Sequence, residues 1–145
     1  MSKLTLDSEL SKLIKSLINR SNEEYDQGKY LESIEILEDA WYRLPEPKGG
    51  YSESYYIASD ISEIYLKLKK LKEAKKWSDE LFKCALHRID SGEREFLAGK
   101  VAFESSEFDT AKQYFTIANE KSEGRCFEDE PKKYIQFLKK DDINN

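Results

Sequence analysis

Ile57 to Phe82 reads IASDISEIYLKLKKLKEAKKWSDELF, and its spacing decides the fold. Ile57, Ile61, Ile64, Tyr65 and Leu68 recur at helical intervals, and after Lys69-Lys70 the residues Leu71, Ala74, Trp77, Ser78 and Leu81 do so again. The spacing predicts two amphipathic helices folded back as a hairpin. Ser62 and Ala74 are short residues facing each other across it, and two helix backbones approach closely only where side chains are short. One hairpin cannot bury both stripes unaided, so it needs neighbours of its own kind.

The neighbours are present. Tyr30, Ser33, Leu37 and Ala40 on one side, and Phe108, Ala111, Phe115 and Ala118 on the other, repeat the order large, small, large, small. Ser21, Ser62 and Gly99 each stand 12 residues before Ser33, Ala74 and Ala111, so three copies share one internal ruler. The pattern, small-x-x-aromatic followed by A-x-x-x-F-x-x-A, resembles the tetratricopeptide repeat, and its best copy runs from Ala98-Gly99-Lys100-Val101-Ala102 into AKQYFTIA. Two departures stand out. Arg20 occupies a usually apolar place in the first copy, and the spacings of 41 residues (Ser33 to Ala74) and 37 (Ala74 to Ala111) exceed the standard period of about 34. The excess belongs in the links between hairpins.

What the resemblance implies is an all-α fold: a right-handed helical-hairpin solenoid of about three tetratricopeptide-like repeats plus a C-terminal capping helix. Residues 1–145 form a single domain on this reading, with hairpins at about 8–44, 51–87 and 92–121 and the capping helix at about 130–140.

Composition agrees. Charged residues make up 37% of the chain and hydrophobic residues 39%, which suits a thin two-layer solenoid with much exposed surface. The formal charge of -5 and pI of 5.1 argue against direct binding to nucleic acid, whose phosphates require a basic stripe. A partner recognised electrostatically is then basic. No apolar run reaches the ~20 residues that span a bilayer, and MSKLTLDSEL lacks a cationic start, an apolar block and a cleavage site, so no membrane association and a cytoplasmic location are expected. Cys84 and Cys126 are too few for a disulfide framework and too isolated for a zinc cluster, which implies reduced thiols.

Along the chain, Asp7 or Ser8 caps a first helix reaching about Gln27, with Leu10, Leu13, Ile14, Leu17 and Ile18 on its buried face, and Gly28 ends it. A second helix from about Tyr30 to Leu44 stops at Pro45. Pro45, Pro47, Gly49 and Gly50 then mark the long link. The fourth helix is expected to continue through Cys84 and Ala85 to about Leu86, and Asp90 to cap the fifth. Ser105-Ser106 turns the chain into the sixth helix, Gly124 closes it, and Pro131 opens the last with Tyr134, Phe137 and Leu138 on one stripe.

Catalysis finds little support. His87, the one histidine, follows Cys84 by three residues, a spacing that could pair a thiolate with its base on one helix face. The plainer reading is an inert cysteine beside a helix-end histidine that suits the negative end of the dipole. Phosphate loops, H-E-x-x-H, C-x-x-C and nucleophile elbows are absent, and carboxylate pairs such as Glu23-Glu24 are expected among 29 acids. No catalytic, cofactor-binding or metal site is assigned.

By the same resemblance, ligands sit on the concave side lined by the first helix of each hairpin. That implies partner-binding positions at Asn22, Tyr25 and Asp26 in the first copy. In the second they are Tyr56, Ser59, Asp60 and Glu63, and in the third Phe96, Lys100 and Glu104. Tyrosines among carboxylates supply contact area at low entropic cost and steer a cationic partner. For Tyr25, Tyr56 and Phe96 the alternative is packing between hairpins.

A narrower resemblance rests on Leu44-Pro45-Glu46-Pro47-Lys48, on SESYYI at 52–57, and on Cys126-Phe127-Glu128-Asp129-Glu130-Pro131-Lys132-Lys133-Tyr134 with Phe137-Leu138. These resemble small bacterial tetratricopeptide proteins regarded as immunity proteins of contact-dependent and other polymorphic toxin systems. The implied partner is a basic toxin domain, for instance a nuclease, bound without chemistry. The alternative is an adaptor that holds a peptide or helix in its groove. Whether the chain self-associates is left open.

Overall fold

In the computed structural model of the chain, residues 4–84 and 89–144 are described, 141–144 by backbone alone. Among them the helices are α1 (Ser8–Asp26), α2 (Tyr30–Arg43), α3 (Ser52–Lys67), α4 (Leu71–Phe82), α5 (Glu93–Glu104), α6 (Phe108–Ser122) and α7 (Lys132–Asn144). The only strand-like pairing among the described residues is an isolated bridge between Leu4 and Tyr51. The chain divides into two compact units, Met1–His87 and Arg88–Asn145.

In the first unit, α1 pairs with α2 and α3 with α4, and α2 packs on α3. Asp7 caps α1, its Oδ1 accepting from the Leu10 N–H at 2.9 Å. Ile14 and Leu17 carry the buried stripe of α1, while Leu13, expected on that stripe, lies at its margin and is 37% exposed. Gly28 leaves the helix at φ 79°, a left-handed turn that glycine enters without steric cost. Ile34, Leu37, Ala40 and Trp41 of α2 point inward, and Trp41 meets Trp77 of α4 edge to face at 5.2 Å. At the α3/α4 crossing the Ser62 hydroxyl donates to the Ala74 carbonyl at 2.7 Å. Short side chains thus bring the two helices close and satisfy the hydroxyl at once.

The long link is built rather than slack. Lys48 reaches back so that Nζ donates to the Trp41 and Leu44 carbonyls at 3.1 and 2.6 Å, closing the otherwise unsatisfied end of α2. Lys48–Gly50 forms a 3₁₀ turn, and a Cβ on Gly49 would collide with the Lys83 carbonyl at the end of α4. The LPEPKGG stretch is therefore read by backbone carbonyls. The fourth helix ends at Phe82, short of the expected Leu86; residues 85–88, and with them His87, lie outside the described residues.

The second unit is a hairpin under a cap. Ser91, not Asp90, takes the free N–H at the start of α5, its Oγ accepting from Glu93 at 3.2 Å, with Gly92 at φ 82° in the cap position. Ser106 at φ 62° turns the chain between α5 and α6. A single core gathers Phe96, Ala102, Ala111, Phe115, Ala118, Phe127, Tyr134 and Leu138. Phe96 lies 4.8 Å from Phe127 and 6.1 Å from Tyr134, and Phe103 lies 5.2 Å from Phe137. Such edge-to-face contacts each add about 0.5–1.5 kcal/mol beyond area burial. The stripe of α7 thereby covers the hairpin as the capping helix expected from sequence. Pro131 stands just before α7, its carbonyl accepting from Tyr134 N–H at 3.3 Å.

Candidate functional site

Counting along α3, Asp60, Glu63, Ile64 and Lys67 fall on one stripe at helical spacing. Ser21, Asn22 and Tyr25 form the corresponding stripe of α1, and Ser33 and Leu37 belong to α2. Together these residues enclose a cleft of about 240 Å³ within the first unit. Its floor is fixed by the α1/α2 crossing. There the Ser21 and Ser33 hydroxyls lie 2.7 Å apart, and each also reaches the other's backbone carbonyl, at 3.1 and 3.0 Å. Two hydroxyl protons serve this set of acceptors, so the floor is polar yet satisfied.

One wall is aromatic. Tyr25 stands edge-on to Tyr30 at 5.1 Å, and Lys67 Nζ lies 5.1 Å from the Tyr25 ring centre and 4.9 Å from that of Tyr30. The Lys67 ammonium also donates to the Tyr25 hydroxyl at 3.2 Å, and that contact, with Tyr30 second, holds its pKa above the ordinary lysine value. The opposite wall is acidic. Asp60 makes no hydrogen bond or ion pair among the described residues, and burial first, then the charge of Glu63, pushes its carboxyl from the usual 3.8 to about 6.

Of the ten positions expected to bind a partner, Asn22, Tyr25, Asp60 and Glu63 thus line one cleft. Asp26 and Tyr56 are exposed and Ser59 half-buried, and none of the three lines it. The third copy differs. Phe96 is 6% exposed inside the aromatic core, Lys100 is 6% exposed with Nζ on Glu130 Oε1 at 3.0 Å, and Glu104 accepts from Lys133 at 2.8 Å. The segment from Phe127 to Tyr134 already engages all three. Phe96 packs, but inside its own hairpin and under the cap rather than between hairpins. Lys67 was not expected at the site, although counting four residues on from Glu63 along the same stripe leads to it, and neither were Ser21 and Ser33 as its floor.

Cys84 is fully buried, with Sγ 3.3 Å from Ser54 Oγ and 3.6 Å from the Glu80 carbonyl. Its expected companion, His87, lies outside the described residues. Cys126 is half-buried, and its thiol pKa is raised chiefly by that burial, the opposite of what an attacking thiolate requires. Neither cysteine is in a disulfide. Among the described residues no cluster of histidine, cysteine and acid groups is arranged to hold a metal ion, and no helix is long and apolar enough to cross a membrane.

Paired helices crossing at Ser21/Ser33 and Ser62/Ala74, and with Gly99 against Phe115, define a helical-hairpin fold of the tetratricopeptide kind. A solved structure bears this out: the second TPR domain of the human RPAP3 protein, determined by NMR in complex with the HSP70 peptide SGPTIEEVD. It superposes with a TM-score of 0.67 over 90% of this chain and 96% of its own, at 19% sequence identity. No protein-family model and no curated protein matches the chain.

Proposed function

We propose that the chain is a non-catalytic, cytoplasmic protein-binding module, and that its first unit receives the partner on the stripes of α1 and α3. The observation that carries this reading is the cleft itself. It is an open recess where two first-helix stripes meet, furnished with an aromatic wall, a carboxylate that no other described residue pairs with, and a pinned floor. The structural neighbour was solved with a peptide bound, which supports a groove that takes a polypeptide segment. Asn22→Arg tests the reading, because Asn22 is exposed at the cleft and a longer side chain fills it without entering the core. Proteins captured by the wild-type chain should be lost by this variant. Equal retention of every captured protein would remove the cleft from the binding surface.

A narrower reading is an immunity protein that neutralises a basic toxin domain. It is favoured by the net charge of -5, which would speed encounter with a cationic partner, and by the sequence resemblance described above. The quoted motifs have structural work of their own, since Lys48 closes α2 and Phe127, Tyr134 and Leu138 build the capped core. The peptide-binding reading therefore leads. Protection of cells on co-expression with a toxin domain encoded next to this chain would reverse that order. Failure to protect, or binding to short linear segments but not to a folded domain, would retire the immunity reading.

A further inference from the structure

We infer that the cleft between α1 and α3 is a receptor for a single cationic side chain, arginine or lysine, projecting from a partner polypeptide, with Asp60 as its counter-ion. The inference rests on the protein-binding reading and adds what that site selects. Three features of the cleft converge on it.

The first is charge. The cleft is lined by two carboxylates, Asp60 and Glu63, and by one cation, Lys67. The Lys67 ammonium is spent on the Tyr25 hydroxyl and lies over two tyrosine rings, so it neither neutralises Asp60 nor offers itself to an anion. An anionic guest would meet two like charges and an occupied ammonium. A cationic guest meets an acceptor that nothing in the described chain uses. The second is desolvation. Asp60 is half-buried and gains no donor among the described residues, and a hydrogen bond to such a group returns more than one on open surface.

The third is shape. Leu37 and Ile64 also line the recess, so the aliphatic stem of a guest gains apolar contact alongside the carboxylates. A bare metal ion gains nothing from those contacts and finds no third acidic, histidine or cysteine ligand grouped there among the described residues. Asn22 adds an amide whose oxygen accepts and whose nitrogen donates. The combination of apolar lining and a carboxylate that no other described residue uses matches the stem and head of an arginine or lysine side chain.

The experiment uses the full chain with hexa-arginine, hexa-lysine and hexa-citrulline, the last a neutral near-isostere of the first. Affinity is read by calorimetry and location by backbone amide shifts. Hexa-arginine or hexa-lysine should bind with shifts centred on Asn22, Tyr25, Asp60, Glu63 and Lys67, and hexa-citrulline should not bind. Asp60→Asn should weaken binding about tenfold or more, as expected for losing a hydrogen bond to a charged group. Glu128→Gln, which removes one charge from an exposed site in the other unit, should weaken it less than about twofold.

Equal losses in the two variants would reduce the effect to net charge and overturn the inference, as would absent binding or shifts elsewhere. The wild-type chain gives a check independent of any variant. Bound peptide should lower the midpoint at which the Asp60 carboxyl carbon titrates, and an unmoved midpoint rejects the counter-ion role. Should Asn22→Arg abolish partner capture while Asp60→Asn leaves the cationic peptides bound as before, the cation receptor falls and the protein-binding reading stands.

Discussion

The hydroxyl oxygens of Ser21 and Ser33 lie 2.7 Å apart at the crossing of α1 and α2, each side chain also touching the other helix's backbone. The same crossing is solved differently in the other hairpins. Ser62 donates to the Ala74 carbonyl, and Gly99 leaves its side-chain volume to Phe115. A hydroxyl clasp, a one-way hydrogen bond and a missing side chain are three answers to one steric demand.

The clasp makes a coupled prediction. Ser33→Ala strips one donor and one acceptor from a fully buried pair, and the urea-derived stability should fall by about 1–2 kcal/mol. The Ser21/Ser33 double alanine variant should lose less than the sum of the two single changes, because the second deletion removes a group the first had already left underused. Ser33→Val, which adds bulk at the same crossing, should cost more than Ser33→Ala. Strict additivity would show that the two hydroxyls do not cooperate.

Gly99→Ala sets a helix gain against a clash. Alanine is favoured over glycine in a helix interior by roughly 0.5–1 kcal/mol. Against this, the added Cβ would sit 2.6 Å from the Phe115 ring, and Phe115 is fully buried. Overpacking of this kind costs about 1–3 kcal/mol, so the net change should be destabilising by about 1–2 kcal/mol. A variant more stable than wild type in thermal melts would mean that Phe115 repacks freely.

Tyr134→Ala probes the cap. Tyr134 is 5% exposed and lies 5.6 Å from Phe115 and 5.4 Å from Phe103. Truncating a buried aromatic of this size costs about 3–5 kcal/mol and opens the aromatic core of the second unit to water. The variant should bind a hydrophobic dye and melt at lower temperature. Wild-type dye binding would show that α7 does not shield the hairpin.

Steric rules were legible in the sequence because they act at fixed separations. The 12-residue ruler between Ser21 and Ser33, Ser62 and Ala74, and Gly99 and Ala111 follows from two helices and a short turn of constant length. Phe96 was not legible in this way. A large residue on a first helix has the same periodicity whether a partner or the chain's own tail covers it, and here Phe127 and Tyr134 cover it. Buried charges were hidden for a related reason. Arg94, Glu95 and Lys100 are spelled like surface residues, yet all are under a tenth exposed, with Glu95 paired to Lys121 and Lys100 to Glu130. The α1/α3 stripe was visible as a row of acids and tyrosines. Its depth was not, because that depends on how far the serine clasp draws α1 and α2 together.

Asp60 links the candidate site to stability through pH. Burial and Glu63 raise its carboxyl from 3.8 to about 6, so the folded chain holds this proton more tightly than the unfolded chain. For a carboxyl shifted in this direction, the stabilising contribution is complete below pH 3.8 and disappears as pH rises through about 6. At neutral pH the chain therefore carries a partly desolvated charge that costs it stability. Asp60→Asn removes the charge while keeping the shape. The variant should be more stable than wild type at pH 8 by on the order of 1 kcal/mol, allowing for partial solvent screening, and the advantage should vanish near pH 4. Melting temperatures of both proteins at the two pH values make the comparison. If the difference is the same at pH 4 and pH 8, the charge on Asp60 is not what weakens the fold at neutral pH; if it appears only at pH 8, the half-buried carboxylate is the source of the cost.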